Sequence, residues 1–249
     1  MLMEQVILAQ PEGIFTRNSS IIEDDSLWWS YLREVCRLRG DIFFTEGLLD
    51  KEDLTKDGRE TDVYDKLATH FLAIENEKVV GTVRMVDSLS LDKNLKEMPS
   101  QILFPKLGLQ KYETALQYLL AELVKKNRRV VECSRLVIEE AYRRFRNVHS
   151  QVAISLMTSV AWFCSENHID DMIITSGSKY KTSTIYKRIG FNPIFDFNDR
   201  CPLEPFYYKR FNDYSELMHC PVKEGIKNLS GFMDRLRPVY QRAKIIKKR

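Results

Sequence analysis

The sequence has little from which a disulfide framework or a metal site could be built. Its five cysteines are an odd number, are scattered along the 249 residues and include no C-x-x-C pair, so we expect reduced thiols in a cytosolic protein. The four histidines are equally dispersed, whereas zinc ligands usually come in closely spaced pairs. We therefore predict no metal site. The residues concerned are Cys36, Cys133, Cys164, Cys201, Cys220, His70, His149, His168 and His219.

Long apolar runs, internal repeats and a large net charge are also missing. No run approaches the roughly 20 apolar residues that a membrane-spanning helix needs. The first residues, MLMEQVILAQPEG, contain an acid at Glu4 and no basic residue before the apolar stretch, unlike a secretory signal. The net charge of +3 is too small to indicate a nucleic-acid partner. We expect a cytoplasmic protein that does not bind nucleic acid.

The chain has enough apolar residues, 44%, to bury one large core. We predict an N-terminal extension at 1–25, one α/β domain at 26–215 and a basic helical tail at 216–249. Residues 231–249 contain seven basic residues against one acid, and we expect a helix there that breaks near Pro238. This tail either contacts an anionic membrane surface or is a solvated terminus.

Apolar periodicity and turn residues predict alternating helices and strands. Asn76 and Glu77 separate two apolar runs and predict a hairpin, while residues 88–111, with two prolines, are expected to form a long loop. Gly190 ends a helix and is followed by a strand with which 204–211 could pair. This order is typical of a mixed α/β sheet with helices on both faces. The predicted elements are a helix at 27–39 capped by Asp25 or Ser26, strands at 70–75 and 78–86, a helix at 112–126, a strand at 129–138, a helix at 148–166, a strand at 172–175 and a helix at 181–188.

The predicted strand at 129–138 contains charged residues that a core strand normally lacks. Alternation places Glu132 and Ser134 on one face and Arg135 on the other, and a bulge would bring Glu132 and Arg135 toward one side. Each buried charge needs a partner, and the candidates upstream are Asp62, Asp65 and Arg84. Either these residues form a structural ion-pair network, or Glu132 has a raised pKa and acts as a base.

The segment after this strand, EEAYRRFRNVHS, is rich in arginine and contains no glycine. A loop that leads into a helix N-terminus is a natural anion site, and glycines there let backbone amides wrap a pyrophosphate. Without glycine, the side chains of Arg143, Arg144 and Arg146 instead form a positive patch suited to a larger acidic partner. The alternative is a solvated arginine-rich loop.

Five short motifs in order resemble one branch of the GNAT-fold acyltransferases, the branch of acyl-homoserine lactone synthases, N-acyl amino acid synthases and exosortase-associated acyltransferases. Residues 39–46 resemble its R-x-x-x-F with a following acid, and 62–65 resemble its D-x-Y-D. Residues 80–86 resemble its V-G-x-x-R-L, and 132–136 resemble its E-x-S-R-F/L. Residues 185–191 resemble the Y-x-x-x-G-F that closes many GNAT domains.

The resemblance implies a GNAT fold whose central sheet has a V-shaped opening between two strands, where the pantetheine arm of the donor lies. It implies an acyl-phosphopantetheine donor on acyl carrier protein, which is acidic and suits the arginine patch, and no permanently bound cofactor. It also implies a polar network beside the acceptor site. The residues carried over to this network are Arg39, Asp62, Asp65, Arg84, Glu132 and Arg135, with Phe43 from the first motif.

Three departures separate the sequence from the lactone synthases. No tryptophan follows the first motif, the R-L-L-P-T-T run is replaced by RMVDSL at 84–89, and the segment between Arg84 and Glu132 is longer. These differences weaken S-adenosylmethionine as the acceptor. They favour the N-acyl amino acid synthases, which resemble this sequence in having a longer insertion at this point.

We therefore expect transfer of a fatty acyl group from acyl carrier protein to the amine of an amino acid. Glu132 would remove the proton of the amine, and backbone amides at 134–137 would stabilise the oxyanion. Arg84 or Arg135 either holds the carboxylate of the acceptor or neutralises the aspartates. Four apolar residues either line an acyl pocket or are ordinary core residues: Met85, Phe104, Trp162 and Phe163.

Alternative functions remain open from the sequence. One is a lactone synthase-like autoinducer synthase. Another is a non-catalytic module that binds acyl carrier protein on the same fold, because a fold does not fix a function. A third is an acetyltransferase that uses acetyl-CoA, against which the glycine-free loop argues.

Overall fold

The computed structural model describes residues 3–11, 21–90, 97–143, 151–178, 182–196 and 200–248. Within these ranges the chain forms helices on both sides of one large sheet. The helices are α1 (Asp25–Thr45), α2 (Pro99–Lys106), α3 (Gln110–Lys125), α4 (Gln151–Glu166), α5 (Thr182–Ile189) and α6 (Val222–Gln241). Across the described ranges, no helix combines the length and apolar character that a bilayer span requires.

The sheet is mixed, as predicted. Its strands are β1 (Glu4–Ala9), β2 (Ile21–Glu23), β3 (Thr69–Glu75), β4 (Lys78–Asp87), β5 (Val130–Ile138), β6 (Asp171–Gly177), β7 (Asn192–Pro193), β8 (Phe206–Tyr208), β9 (Asp213–Pro221) and β10 (Lys244–Lys247). They lie in the order β2-β10-β1-β3-β4-β5-β6-β9-β7, with β8 beside β9. The β5–β6, β1–β10 and β10–β2 pairs are parallel, and the other pairs are antiparallel.

The predicted hairpin is confirmed and joins β3 to β4. Glu75 pairs with Lys78, and the two turn residues have positive φ, 50° at Asn76 and 64° at Glu77. Two consecutive residues with positive φ match the twist that a two-residue hairpin turn requires. This turn aligns Arg84 on β4 with His70 on β3.

Helix α1 starts earlier than predicted and extends further. Its cap is Asp24, whose carboxylate accepts from the amide of Leu27 at 3.0 Å, so the predicted cap at Asp25 or Ser26 was wrong. Asp24 has extended backbone angles, as an N-cap residue requires. The buried side of the helix, which includes Trp28 and Leu32, packs on the sheet.

A close backbone approach holds the segment after α1 against the helix. A Cβ on Gly40 would lie 2.0 Å from the carbonyl oxygen of Gly58, so only glycine permits this contact. The amide of Glu60 then donates to the carbonyl of Cys36 at 3.0 Å. This contact places Glu60 beside Arg39, which lies on the same helix.

Three predictions about the chain path were wrong. The expected loop at 88–111 contains α2, which begins at Pro99, and the first two residues of α3; proline is well tolerated at a first helical position. Residues 206–208 pair with β9, a strand that the prediction missed, and not with the strand after Gly190. Helix α6 continues through Pro238 to Gln241 without the expected break.

Strands from both ends of the described chain complete the sheet. β10 lies between β2 and β1 and is parallel to both. Ile245 and Ile246 of this strand are buried. Residues of the predicted N-terminal extension and of the predicted tail therefore belong to the central sheet.

Alternate residues of each strand face different helices, as predicted for a sheet covered on both faces. Met85 and Cys133 pack with residues of α4, α5 and α6. Val130 and Ile173 pack with residues of α2 and α3. The face that holds α1, α2 and α3 is also the face toward which Glu132 points, two residues from Val130.

The predicted V-shaped opening lies between β5 and β6. Their pairing runs from Val130 and Asp171 to Cys133 and Ile174 and then stops. Beyond this point β5 stays paired with β4 to Ile138, and β6 stays paired with β9 to Gly177. The two strands therefore part after Cys133 and Ile174; we call this opening the splay.

Candidate functional site

A bulge interrupts β5 just beyond the point where the splay opens. Thr82 pairs with Val137 and Arg84 with Ser134, so Arg135 and Leu136 together face the single residue between Thr82 and Arg84. Arg135 has φ 58°, a left-handed conformation that is uncommon for a residue with a side chain. The bulge on which the placement of Arg135 depended is therefore present.

The bulge turns Arg135 toward a group of ion pairs that we call the charge cluster. Three of its members are arginines and three are carboxylates, so its formal charges balance. The charge cluster consists of Arg39, Arg84, Arg135, Glu60, Asp62 and Asp65.

Arg39 of α1 is a fully buried member of the charge cluster. Its Nη1 and Nη2 donate to Oδ1 and Oδ2 of Asp65, each at 2.7 Å. Its Nη2 also donates to the carbonyl of Glu60 at 2.7 Å, and its Nε lies 2.7 Å from Glu60 Oε2. This fork geometry matches two carboxylates at once, which only arginine provides.

Arg84 and Arg135 also contact carboxylates. Arg84 Nη1 donates to Asp62 Oδ1 and, at 3.0 Å, to Asp65 Oδ1, and its Nε donates to the Ser134 hydroxyl at 3.2 Å. Arg135 Nε and Nη2 donate to Oε1 of Glu60 at 3.1 and 2.9 Å. In this geometry both arginines neutralise acidic residues of the protein itself.

The electrostatics keep Glu60 and Asp65 ionised. Burial alone would raise the pKa of Glu60, but Arg135 and Arg39 outweigh it and lower the pKa to about 2. Burial would likewise raise the pKa of Asp65, and the guanidiniums of Arg39 and Arg84 hold it well below its usual range. The buried part of the charge cluster is therefore a network of ion pairs between residues of the protein itself.

Glu132 lies on the same face of the sheet but outside these ion pairs. Its side chain is buried, with 2% of its surface exposed. Oε2 accepts from the amide of Ser100 at 3.0 Å and Oε1 from the Ser100 hydroxyl at 2.7 Å, and this hydroxyl lies 3.1 Å from that of Thr175. Burial raises the pKa of Glu132 to about 7, although Ser100, Arg84 and Arg135 act in the opposite direction.

Four residues of this site were not anticipated. Glu60 is a member of the charge cluster, and His70 lies next to it. Ser100 contacts Glu132, and Thr175 contacts Ser100. His70 is fully buried and its Nε2 lies 2.8 Å from the carbonyl oxygen of Asp65; burial lowers its pKa to about 4. The sequence offered one usable signal, the Pro-Ser pair at 99–100, which is typical of a helix start.

The apolar candidates for an acyl pocket lie in different places. Met85 is in the core on the opposite face of the sheet, beside Cys164. Trp162 stacks on Tyr240 of α6 with ring centroids 6.0 Å apart. The structure does not bring Met85 and Trp162 to the charge cluster, and the same holds for Phe163, which packs on Phe71.

The fourth acyl-pocket candidate, Phe104, and Phe43 of the first motif lie on the face of the charge cluster. Phe104 is one turn after Ser100 on α2 and contacts the rings of Tyr112 and Phe206. Phe43 packs on Phe211, with ring centroids 5.4 Å apart. Phe211 lies in turn beneath the guanidinium of Arg135, at 5.4 Å.

Of the predicted carrier-protein arginines, Arg143 falls in the described part of the chain. It forms an ion pair with Glu46 and donates to the carbonyl of Ile138, at the end of β5. Arg144 and Arg146 lie outside the described residues.

In the ranges that the structure describes, no three His, Cys, Asp or Glu residues are grouped as metal ligands would be.

Comparison with known sequences identifies the domain type. Residues 38–152 match the family model of the Acetyltransferase (GNAT) domain. This stretch contains Arg39, Arg84, Glu132 and the bulge at Arg135. No curated protein sequence matches the chain significantly.

Solved structures with a similar fold cover nearly the whole chain. One is FeeM, an N-acyl amino acid synthase from uncultured soil microbes, at 17% identity and a TM-score of 0.58, covering 93% of this chain and 97% of that one. Another is BjaI, a CoA-dependent acyl-homoserine lactone synthase, at 21% identity and 0.58, covering 93% and 92%. A third is the lactone synthase LasI, at 17% identity and 0.52, covering 92% and 94%.

The family match shows a GNAT acetyltransferase domain at residues 38–152, and the fold of the whole chain is that of a GNAT acyltransferase. The fold class predicted from the five motifs is therefore confirmed, including the mixed sheet and its splay. Among proteins of this fold, the chain is similar to synthases that form N-acyl amino acids or acyl-homoserine lactones.

Proposed function

We propose that this acyltransferase moves a fatty acyl group from acyl carrier protein to the amine of an amino acid. The observation that carries the proposal is the position of Glu132, a carboxyl group with a pKa raised to about 7 beside the point where β5 and β6 part. A base with this pKa is half ionised at neutral pH and suits removal of a proton from an attacking amine.

The reaction follows from these positions. The amine loses a proton to Glu132, and its nitrogen attacks the thioester carbonyl in the splay. Those backbone amides of residues 134–137 that point toward the splay, and not toward β4, stabilise the oxyanion. Its collapse forms the amide bond and expels the phosphopantetheine thiolate, which takes the extra proton that the nitrogen carries after the attack and leaves as the thiol.

The acceptor fits the exposed side of the charge cluster. The side chains of Asp62 and Arg135 are 24% and 16% exposed, whereas those of Arg39 and Glu60 are fully buried. Asp62 and Arg135 are 3.5 Å apart. This pair of opposite charges suits the ammonium and carboxylate of an amino acid. The similarity to the N-acyl amino acid synthase FeeM supports the same acceptor class.

The donor is assigned from the segment after β5. It contains Arg143, Arg144 and Arg146 and no glycine, which favours an acidic carrier protein over a pyrophosphate wrapped by backbone amides. The fold also serves a CoA-dependent synthase, BjaI. The choice of donor therefore needs a direct test.

The first experiment offers the purified protein long-chain acyl-carrier proteins or acyl-CoAs, each with pooled amino acids. Mass spectrometry of the lipid extract then identifies any N-acyl amino acid. Product from acyl-carrier protein supports the proposal, and product from acyl-CoA alone overturns the donor. A stable complex with acyl-carrier protein that forms no product overturns the proposed enzymatic activity and supports a carrier-binding module. An acylated lactone formed on addition of S-adenosylmethionine would favour the lactone synthases.

A triple variant tests the carrier-protein contact. Arg143→Ala, Arg144→Ala and Arg146→Ala together should raise the KM for acyl-carrier protein by about tenfold or more, because each lost charge weakens electrostatic complementarity. The rate with a short acyl-pantetheine donor should change little. A control triple on the exposed side of α6, Lys223→Ala, Lys227→Ala and Arg235→Ala, should leave both values unchanged. Equal effects of the two triples would contradict a specific docking patch.

A further inference from the structure

The proposed base is sealed from the space in which it has to act. Glu132 is 2% exposed, and Ser100, which covers its carboxylate, is 1% exposed. Both carboxylate oxygens accept from Ser100, Oε2 from its amide and Oε1 from its hydroxyl. A substrate amine in the splay therefore needs a route for its proton to reach Glu132.

Other polar groups that face Glu132 are engaged elsewhere. Arg84 Nη1 donates to Asp62 and Asp65, and Arg135 donates to Glu60. The hydroxyl of Tyr64 donates to the carbonyl of Glu97 at 2.9 Å. The thiol of Cys133 belongs to the core on the other face of the sheet. Among the described residues, the hydroxyl that reaches the carboxylate of Glu132 is that of Ser100.

The hydroxyls of Ser100 and Thr175 form a chain of hydrogen bonds in which each hydroxyl donates toward Glu132. Ser100 has a single hydroxyl hydrogen, which it donates to Glu132 Oε1 at 2.7 Å. In the 3.1 Å contact between the two hydroxyls, Thr175 is therefore the donor. Within the described ranges the oxygen of Thr175 accepts no other hydrogen bond, so its lone pairs can accept another hydrogen.

Thr175 lies where β6 leaves β5. The last residue of β6 that pairs with β5 is Ile174, so Thr175 is the first residue on the β6 side of the splay. It is partly exposed, unlike the buried residues 171–174 before it. The chain of hydroxyls thus runs from the splay to the buried carboxylate.

We propose that Ser100 and Thr175 relay a proton from the attacking amine to Glu132. The inference rests on the proposed function. An N–H bond of the ammonium form of the acceptor breaks as its hydrogen passes to Thr175 Oγ1, the Thr175 hydrogen passes to Ser100 Oγ, and the Ser100 hydrogen passes to Glu132 Oε1. Glu132 ends as a carboxylic acid, both hydroxyls are regenerated, and the neutral amine attacks the thioester.

The test removes one hydroxyl at a time from the full-length protein. Thr175→Val keeps the shape of the side chain but removes the relay. The single-turnover rate constant of acyl transfer should therefore fall by about 100-fold, within the usual range for general-base catalysis. The KM for the amine should change little. Thr175→Ser should restore most of the rate. The remaining rate of Thr175→Val should rise with pH, because only an amine that is already neutral then reacts.

Thr82→Val is the matched control. Thr82 is a buried threonine on β4 whose hydroxyl has no hydrogen-bond partner among the described residues, so its loss should leave kcat unchanged and cost no stability. If Thr175→Val retains the wild-type kcat while Glu132→Gln is inactive, the relay is wrong and the proposed function stands.

A second measurement does not depend on turnover. After a pH jump across pH 7, infrared spectroscopy follows the carboxylic acid band that Glu132→Gln removes. In Thr175→Val the protonation of Glu132 should slow by about tenfold or more relative to wild type and to Thr82→Val, with its pKa close to the wild-type value. Equal protonation rates would overturn the relay even if no acyl donor is found.

Discussion

Arg39 and Asp65 form a buried, two-pronged ion pair in which Nη1 and Nη2 of the arginine each donate to one carboxylate oxygen at 2.7 Å. Arg39 lies on α1, and Asp65 lies in the segment that leads into β3. The pair therefore fixes the helix to the segment that also supplies Asp62 to the candidate acceptor site. Its loss should affect both stability and the position of that site.

Arg39→Lys should lower the free energy of unfolding by about 3 kcal/mol, since a single ammonium cannot satisfy two buried carboxylates. Urea unfolding at pH 7 measures the change. Arg59→Lys is the control, because the pair of Arg59 with Asp57 is partly exposed, at 29% and 49% of the two side chains, and should be worth less than about 1 kcal/mol. Similar losses in both variants would contradict the structural role of Arg39.

Glu132→Gln should abolish turnover and change how stability depends on pH. Burial raises the pKa of Glu132 from 4.5 to about 7, so the folded state binds its proton more tightly than the unfolded state. The stability that this group contributes is fully present below pH 4.5 and is lost as the pH rises to 7. In urea unfolding, the free energy of unfolding of Glu132→Gln relative to that of the wild type should increase by on the order of 3 kcal/mol between pH 4.5 and 7.5. A constant difference across this range would contradict the raised pKa.

Glu60→Gln should show the opposite pH dependence. Although burial opposes it, Arg135 and Arg39 lower the pKa of Glu60 from 4.5 to about 2, so the carboxylate stabilises the fold above pH 4.5 and this contribution is lost as the pH falls through 2. The variant should be less stable than wild type by about 3 kcal/mol at pH 7. The difference should shrink as the pH falls below 4.5. Denaturant titrations at several pH values provide the measurement, and a difference that grows in acid would refute it.

Gly81→Ala should destabilise the contact between β4 and α4. An added Cβ would lie 2.8 Å from a methyl group of Val152 and 3.3 Å from one of Leu156, so packing must shift at a cost of about 1–3 kcal/mol. Gly231→Ala on α6 meets no atom within 4 Å and should instead stabilise the helix by about 0.5–1 kcal/mol. Thermal unfolding of the two variants should therefore move in opposite directions.

Local signals explain why part of the site was predictable. The strand at 129–138, its charged residues and the hairpin at Asn76 and Glu77 all depend on short-range patterns, namely apolar runs and turn residues. The need for a partner for each buried charge led from Arg135 and Arg84 to Asp62 and Asp65. These pairings could be inferred because they follow from chemistry more than from geometry.

The residues that were missed depend on long-range contacts. Glu60 lies in an irregular segment with no periodicity, and its place is set by the close approach of Gly58 to Gly40. Ser100 lies between two prolines, Pro99 and Pro105, which resemble loop markers but here lie within α2. The distance from Ser100 to Glu132 depends on how α2 packs on the sheet, which no local pattern encodes.

The position of β10 has a consequence for folding. This strand, close to the end of the described chain, inserts in parallel between β2 and β1, which lie close to its beginning. Contacts between segments so distant in sequence form slowly, because a long loop must close before they contribute stability. During synthesis, this side of the sheet stays incomplete until residues 244–247 have left the ribosome, and the edge of β1 is open to pairing with other chains in that interval.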